Sequence, residues 1–209
     1  MTKTNDFDDI ILNRRSIREF DPKVKIPRED MLEMIQKATR APSSVNLQPW
    51  RFVVVDSEEG KQNLRPLMRW NTQQNDTSAA MVLIFGDLKC YEYGEKIYAK
   101  AVAEGKLTEE EKNKQLRDII PEYKSFPKEK MKKVVRLDSN LAAMQFMLVA
   151  RSHGYDTNAI GGFDYGQLAE SVDLDKERYV PVLILAVGKA LEPGEETVRL
   201  DAEAITTFK

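Results

Sequence analysis

The chain has 209 residues, with 32 Lys and Arg against 34 Asp and Glu, for a net charge of -2. That balance excludes recognition of nucleic acid through a broad positive face, and no apolar run approaches the roughly 20 residues of a bilayer-spanning helix. One cysteine, Cys90, and one histidine, His153, exclude an internal disulfide and leave few ligands for a zinc site, so enzymatic chemistry here calls for a bound cofactor.

The opening MTKTNDFDDI lacks the basic region and apolar stretch of a signal peptide. A single cytoplasmic domain over residues 1–209 is therefore expected. Residues 6–13 read as a short helix, with Phe7, Ile10 and Ile11 at helical spacing behind Asp6. The arginine-rich NRRSIREFDP follows, and Pro27 opens a second helix that Pro42 stops. APSSVNLQPW is loop chemistry leading into the strand RFVVVD. A helix over about 58–69 follows, and NTQQNDTSAA then leads into the apolar strand MVLIFGD. Residues 88–133 form a charge-dense helical excursion that carries Tyr91, Tyr93, Tyr98, Tyr123 and Phe126.

The next helix, about 134–152, is apolar nearly all round, with Val134, Leu137, Leu141, Met144 and Leu148 in one stripe. Such a helix must be buried on most sides, and a subunit interface is a natural way to do so. His153 falls in its last turn before Gly154, where a cation suits the helix dipole. TNAIGGFD reads as a short strand and glycine turn, and YVPVLILAVGKA as a last buried strand. The polar tail after Gly194 is mostly extended and ends in a possible short helix.

Arg14, Arg15 and Arg18 around Ser16 offer the donor forks that suit phosphate. Strand alternation sends Arg14, Ser16 and Arg18 to one side and Arg15 to the other. Taken alone, the same residues also suit a solvated surface loop. Ser43, Ser44, Asn46 and Gln48 place two hydroxyls and two amides in one loop, matching either a polar heterocycle or plain turn formation. Gly161 and Gly162 allow close approach of the backbone to a ligand, or simply a tight turn.

Read together and in order, these stretches resemble the flavin-dependent nitroreductase family. RRSIR followed by APSSVNLQPW looks like the family's paired N-terminal signature; NTQ, AIGGFD, VPVLILAVGKA and a C-terminal arginine follow in the family's order, so the resemblance spans essentially the whole chain. It implies an α+β fold: a central, mostly antiparallel sheet flanked by helices, in an intertwined homodimer with FMN in the interface.

By the same resemblance, Arg14 and Arg199 contact the FMN phosphate, and Arg15 and Ser16 the ribityl-phosphate region. Arg18, Asn71 and Gln73 lie at the pyrimidine edge of the flavin, while Pro42, Ser43, Ser44 and Asn46 reach the flavin of the other subunit. Ile160, Gly161 and Gly162 form the turn against the hydride-accepting side. The implied reaction is ping-pong: NADH or NADPH is the reductant and a small electron-poor acceptor, a nitroaromatic or quinone, the oxidant. No side chain acts as acid or base. Residues 88–133 are positioned to cover the open flavin face, and a tail over about 191–209 crosses to the partner. Thr197 and Val198 precede Arg199 where many relatives carry a lysine, which shifts phosphate binding toward Arg14. The fold also admits flavin binding without turnover, dehalogenation, flavin fragmentation and azoline oxidation.

Overall fold

A computed structural model describes residues 3–209. Helix α1 (Phe7–Asn13) starts where the Asp6 carboxylate accepts from Asp9 N–H at 3.1 Å. Helix α2 (Arg28–Ala38) is entered through Pro27 and puts Glu29 and Asp30 in its first turn. Strand β1 (Trp50–Val55) leads to helix α3 (Glu58–Leu64), capped by Ser57 and continued by a 3-10 turn at Arg65–Leu67. A short helix follows that the polar sequence TQQNDT did not suggest, α4 (Thr72–Thr77). Tertiary bonds hold it: Asn75 donates to Lys61 O at 2.9 Å, and Phe20 N–H donates to the Thr77 hydroxyl at 3.2 Å.

Strand β2 (Ala80–Asp87) precedes helices α5 (Gly94–Ala103) and α6 (Glu109–Ser125), the latter opened by a reciprocal Thr108–Glu111 capping box. Helix α7 (Lys128–Ser152) begins just after Pro127, six residues before the apolar stripe that signals it in the sequence. Its first turns carry Lys128, Lys130, Lys132 and Lys133, so the charged end of the expected excursion belongs to this helix. Strands β3 (Asp156–Ile160) and β4 (Tyr179–Gly188) complete the sheet.

The sheet runs β1-β2-β4-β3 with every neighbouring pair antiparallel. Strands β2 and β4 are central and covered on both faces, which explains their nearly continuous apolar sequences. Their register shifts at Ile84/Phe85, opposite Pro181, which has no N–H to give the ladder. Met81, Leu83 and Phe85 face one core with Phe20, Met68 and Phe163. Val82 and Ile84 face the other, against Met34 of α2 and Ala143 and Phe146 of α7.

Helix α7 does not bury the expected stripe within this chain. The inward face is Val135, Ala142, Phe146 and Ala150, while Leu137, Leu141 and Met144 are 67%, 44% and 42% exposed. The tail beyond Gly194 leaves Val198, Leu200, Ile205 and Phe208 exposed, with a short 3-10 turn at Ala202–Ile205.

His153 caps α7, as its position in the sequence suggests, but not as a cation. Its ring is buried and its Nε2 lies 3.0 Å from Lys37 Nζ, which can only donate, so Nε2 accepts. Burial, then the charges of Lys37 and Lys3, hold its pKa below the usual 6.5 against the opposing pull of Glu33 and Asp30.

Two outcomes follow from this packing. A Cβ on Gly86 would stand 2.5 Å from Val135 Cγ2 and 2.8 Å from Val135 Cβ. Gly86→Ala therefore costs about 1–3 kcal/mol in urea unfolding, since α7 must move off the sheet. For His153 the unfolded chain takes up a proton near pH 6.5 while the folded ring stays neutral, so its contribution weakens as pH falls below that value. Unfolding curves at pH 8 and pH 5.5 should show an acid loss in the native protein that is smaller in His153→Gln.

Candidate functional site

The arginine segment is held extended against the sheet edge. Ser16 bridges Thr157 in parallel, Ile17 N–H donates to Thr157 O at 3.1 Å, and Asn158 donates to Ile17 O at 2.9 Å. Phe20 makes a second bridge to Ala190. Ile17 and Phe20 are buried and anchor the segment. Arg14, Ser16 and Arg18 line one cleft of about 380 Å³, which Gln73 and Arg199 also line. Arg15 reaches this cleft but turns its guanidinium back to Leu12 O at 2.7 Å and toward Glu196 at 3.6 Å.

The tail reaches the cleft through a close approach at Gly194. A Cβ there would lie 2.6 Å from Arg15 Cβ and 3.2 Å from Ser16 O, so the backbones touch only because the residue is glycine. Beyond it, Arg199 donates to Thr197 Oγ1 and Val198 O, at 2.7 and 2.8 Å. Glu19, Glu192 and Glu195 also line the cleft, yet none pairs with Arg14, Arg18 or Arg199 among the described residues. Glu19 instead accepts from Gln73 Nε2 at 3.1 Å. Burial, then the like charges of Arg199 and Arg15, lower the Arg14 pKa. This uncompensated positive field is what an anion would relieve.

Asn71 and the glycine turn meet next to one another. Asn71 Nδ2 donates to Gly162 O at 2.9 Å and Tyr165 OH to Gly161 O at 3.1 Å. Both carbonyls are thus held by side chains, while the Gly161 and Gly162 N–H groups find no acceptor among the described residues. Ile160 and Phe163, on either side of the pair, are buried. The Asn71 amide is therefore committed to the turn, a link that nothing in the spacing of NTQ and IGGFD discloses.

The PSSVN loop lies elsewhere. Pro42, Asn46 and Gln48 line a separate cleft of about 680 Å³ with residues of α2 and α5. Ser43 Oγ accepts from Gln48 N–H at 3.1 Å. Val45, Asn46 and Gln48 have φ of 42°, 55° and 47°, a strained run for non-glycine residues and most of all for β-branched Val45. Three anchors hold it. Ser44 N–H donates to Asp138 Oδ2 at 3.0 Å, Ser44 Oγ bonds the Tyr123 hydroxyl, and Tyr98 OH donates to Val45 O at 3.1 Å. Burial raises the Asp138 pKa, and the Ser44 N–H opposes the rise.

The aromatic residues of 88–133 divide accordingly. Tyr98 and Tyr123 are buried supports of the loop, Phe126 packs on Tyr123 with ring centroids 4.9 Å apart, and Tyr91 joins the same cluster. Tyr93 faces the larger cleft, with the Arg51 guanidinium 4.2 Å over its ring. Cys90 is buried and its thiol is pushed up to about 12, chiefly by burial and then by Asp87, so it serves as no nucleophile.

Comparison with known proteins settles the class. Residues 11–189 match the model of the nitroreductase family. The chain belongs to the nitroreductase family. A Bacillus subtilis protein named as a candidate NAD(P)H nitroreductase, YdgI, is 47% identical over 209 residues, covering all of both chains. A crystal structure of a candidate nitroreductase in complex with FMN, from Exiguobacterium sibiricum, superposes with a TM-score of 0.97 at 46% identity, covering 100% of this chain and 99% of that one. A Lactiplantibacillus plantarum enone reductase of CLA biosynthesis is 39% identical over 205 residues, 98% of this chain and 94% of its own. The α+β architecture and the antiparallel sheet are thus those of the family.

For this family member the loop clamp makes a direct prediction. Asp138→Ala leaves Ser44 N–H without its acceptor and costs about 1–3 kcal/mol locally. Amide hydrogen exchange over residues 44–48 should accelerate in Asp138→Ala and stay near native rates in Asp138→Asn, whose carbonyl still accepts.

Proposed function

We propose that this chain is an FMN-bearing NAD(P)H oxidoreductase that reduces small electron-poor acceptors as a homodimer. The observation that carries the reading is the Arg14–Arg199 field: two guanidiniums from opposite ends of the chain, unpaired by carboxylate among the described residues, meet in one cleft beside Ser16 and Arg18. A phosphate fits that donor set. The FMN named in the Exiguobacterium sibiricum complex supports the same choice.

Arg14 and Arg199 hold the phosphate, with Ser16 offering its hydroxyl; Arg15, tied to Leu12 O and Glu196, braces the tail as well as adding charge. Arg18 and Gln73 serve the pyrimidine edge, Gln73 steadied by Glu19. Asn71 contributes there by fixing the turn whose Gly161 and Gly162 N–H groups remain free to donate. Held there, FMN would supply the hydride and electron-transfer chemistry that links NADH or NADPH to an acceptor. A fixed Arg18 cation favours negative charge building up on that edge. No side chain is asked to move a proton, which accords with a buried neutral His153 and an inert Cys90.

The dimer rests on three features. The Leu137–Leu141–Met144 stripe of α7 is apolar and exposed, the tail beyond Gly194 carries four exposed apolar side chains, and Pro42 and Asn46 line a cleft separate from Arg14. A second copy brings the loop of one subunit to the flavin of the other, covers the stripe, and takes the arm at about 191–209. Residues 88–133 then form the cover of the site. Nitroaromatics and quinones are the acceptors of this reading, and the relative named as an enone reductase extends it to polarised alkenes. A cytoplasmic setting belongs to the same reading.

The decisive experiment is the absorbance spectrum of the purified protein, before and after anaerobic NADH or NADPH and then a nitroaromatic. Flavin bands that bleach with a nucleotide and return with the acceptor are expected. No flavin, even after reconstitution with FMN, sinks the proposal. Arg14→Ala should weaken FMN binding by about 1.5–3 kcal/mol, roughly 10- to 100-fold in Kd, read by flavin release on dilution.

A further inference from the structure

The larger cleft has a charge that the Arg14 site does not explain. It lies between the C-terminal end of α2, the strained loop and α5, and holds about 680 Å³, the size of a small-molecule site. Five cations line it, Arg40, Arg51, Lys96, Lys100 and Lys106, against one carboxylate, Glu104, in a protein whose net charge is -2. Three of the five are engaged. Arg51 pairs with Asp87 at 3.2 Å while stacked on the Tyr93 ring, and Lys100 and Lys106 share Glu104. That double pairing holds the Glu104 pKa down to about 2, so its charge is already matched.

Arg40 and Lys96 have no acidic partner among the described residues. The same lining also offers apolar Pro42 and Ile97 and the amides of Asn46 and Gln48, which bond each other at 3.2 Å. An anionic head with a flat or elongated apolar body matches this lining: the head is drawn by the free cations, the body lies on Pro42 and Ile97.

We propose that this cleft selects substrates carrying a carboxylate or phosphate, with Arg40 and Lys96 as the recognising cations. The inference rests on the flavin reading above, because only the Pro42–Gln48 loop joins this cleft to the reaction. The anion has two sources, a carboxylate on the acceptor or the 2′-phosphate that distinguishes NADPH from NADH.

The test is the Arg40→Gln/Lys96→Gln double variant of the holoenzyme. Neither residue lies in the Arg14 cleft, so FMN content should match the native protein. Steady-state KM values are compared for 4-nitrobenzoate against neutral 4-nitrobenzamide, and for NADPH against NADH. Calorimetric titration with 4-nitrobenzoate without reductant gives Kd independently of turnover and of the flavin. A rise of about tenfold for 4-nitrobenzoate in both KM and Kd, with the amide unchanged, identifies the acceptor's carboxylate. A rise confined to NADPH identifies the nucleotide phosphate, and a rise in both anionic partners shows that they share the site. Equal changes for charged and neutral partners, or no change in any, overturn the proposal. A colourless protein that still binds 4-nitrobenzoate through Arg40 and Lys96 would fail the flavin reading and leave the anion site standing.

Discussion

The seat of α7 on the sheet is the contact from which the rest is arranged. The helix can lie against β2 only because position 86 carries no side chain, leaving Val135 in the space a Cβ would take. From there α7 packs Phe146 and Ala143 into the core shared with α2, and presents Asp138 to the PSSVN loop. Small residues on its inner face, Ala142, Ala143 and Ala150, keep the helix close and set where its outer stripe must emerge. One close approach thus fixes the floor of the molecule, the height of the loop and the apolar stripe of α7 that stays exposed on this chain.

The two arginine-rich regions show how differently the same side chain is used. Arg51 and Arg178 close on Asp87, fully buried at the end of β2, with Arg178 bonding both carboxylate oxygens at 2.9 and 3.0 Å. That pairing is structural: the charge is spent where the chain turns from sheet to excursion. Arg14 and Arg199 have no such partner among the described residues and repel each other. Neighbouring cations left unmatched raise the energy of the empty cleft, and that energy returns when an anion enters.

The course of the arginine segment in the candidate site was legible because it depends on local order. RRSIR forms an extended segment with alternate residues turned, and its Ile17 and Phe20 anchors are visible as apolar positions among charges. The sheet was legible for the same reason: MVLIFGD and YVPVLILAVG are too uniformly apolar to face water. What stayed hidden is held by partners far apart in the chain. The short helix at Thr72–Thr77 has little propensity of its own and exists through Phe20 and Lys61. The tie from Asn71 to Gly162 spans 91 positions, and the Ser44–Asp138 bond spans 94. Asp138, the one carboxylate of α7 beyond its first turn, was the cue that could have pointed to the loop clamp. The outer stripe of α7 has the same character as its core face, and periodicity cannot distinguish burial within a chain from burial between two.

The state of the single thiol has a consequence for survival in air. Electron transfer in the presence of oxygen generates peroxide, and peroxide attacks thiolate far faster than thiol. Cys90 is enclosed and stays protonated well beyond physiological pH, so the chain has no ready point of oxidative attack at sulfur of this kind. A protein built to handle reducing equivalents is in this way spared an easy route of self-inactivation. For the same reason, a cysteine introduced anywhere on the surface becomes a single, selective point of attachment.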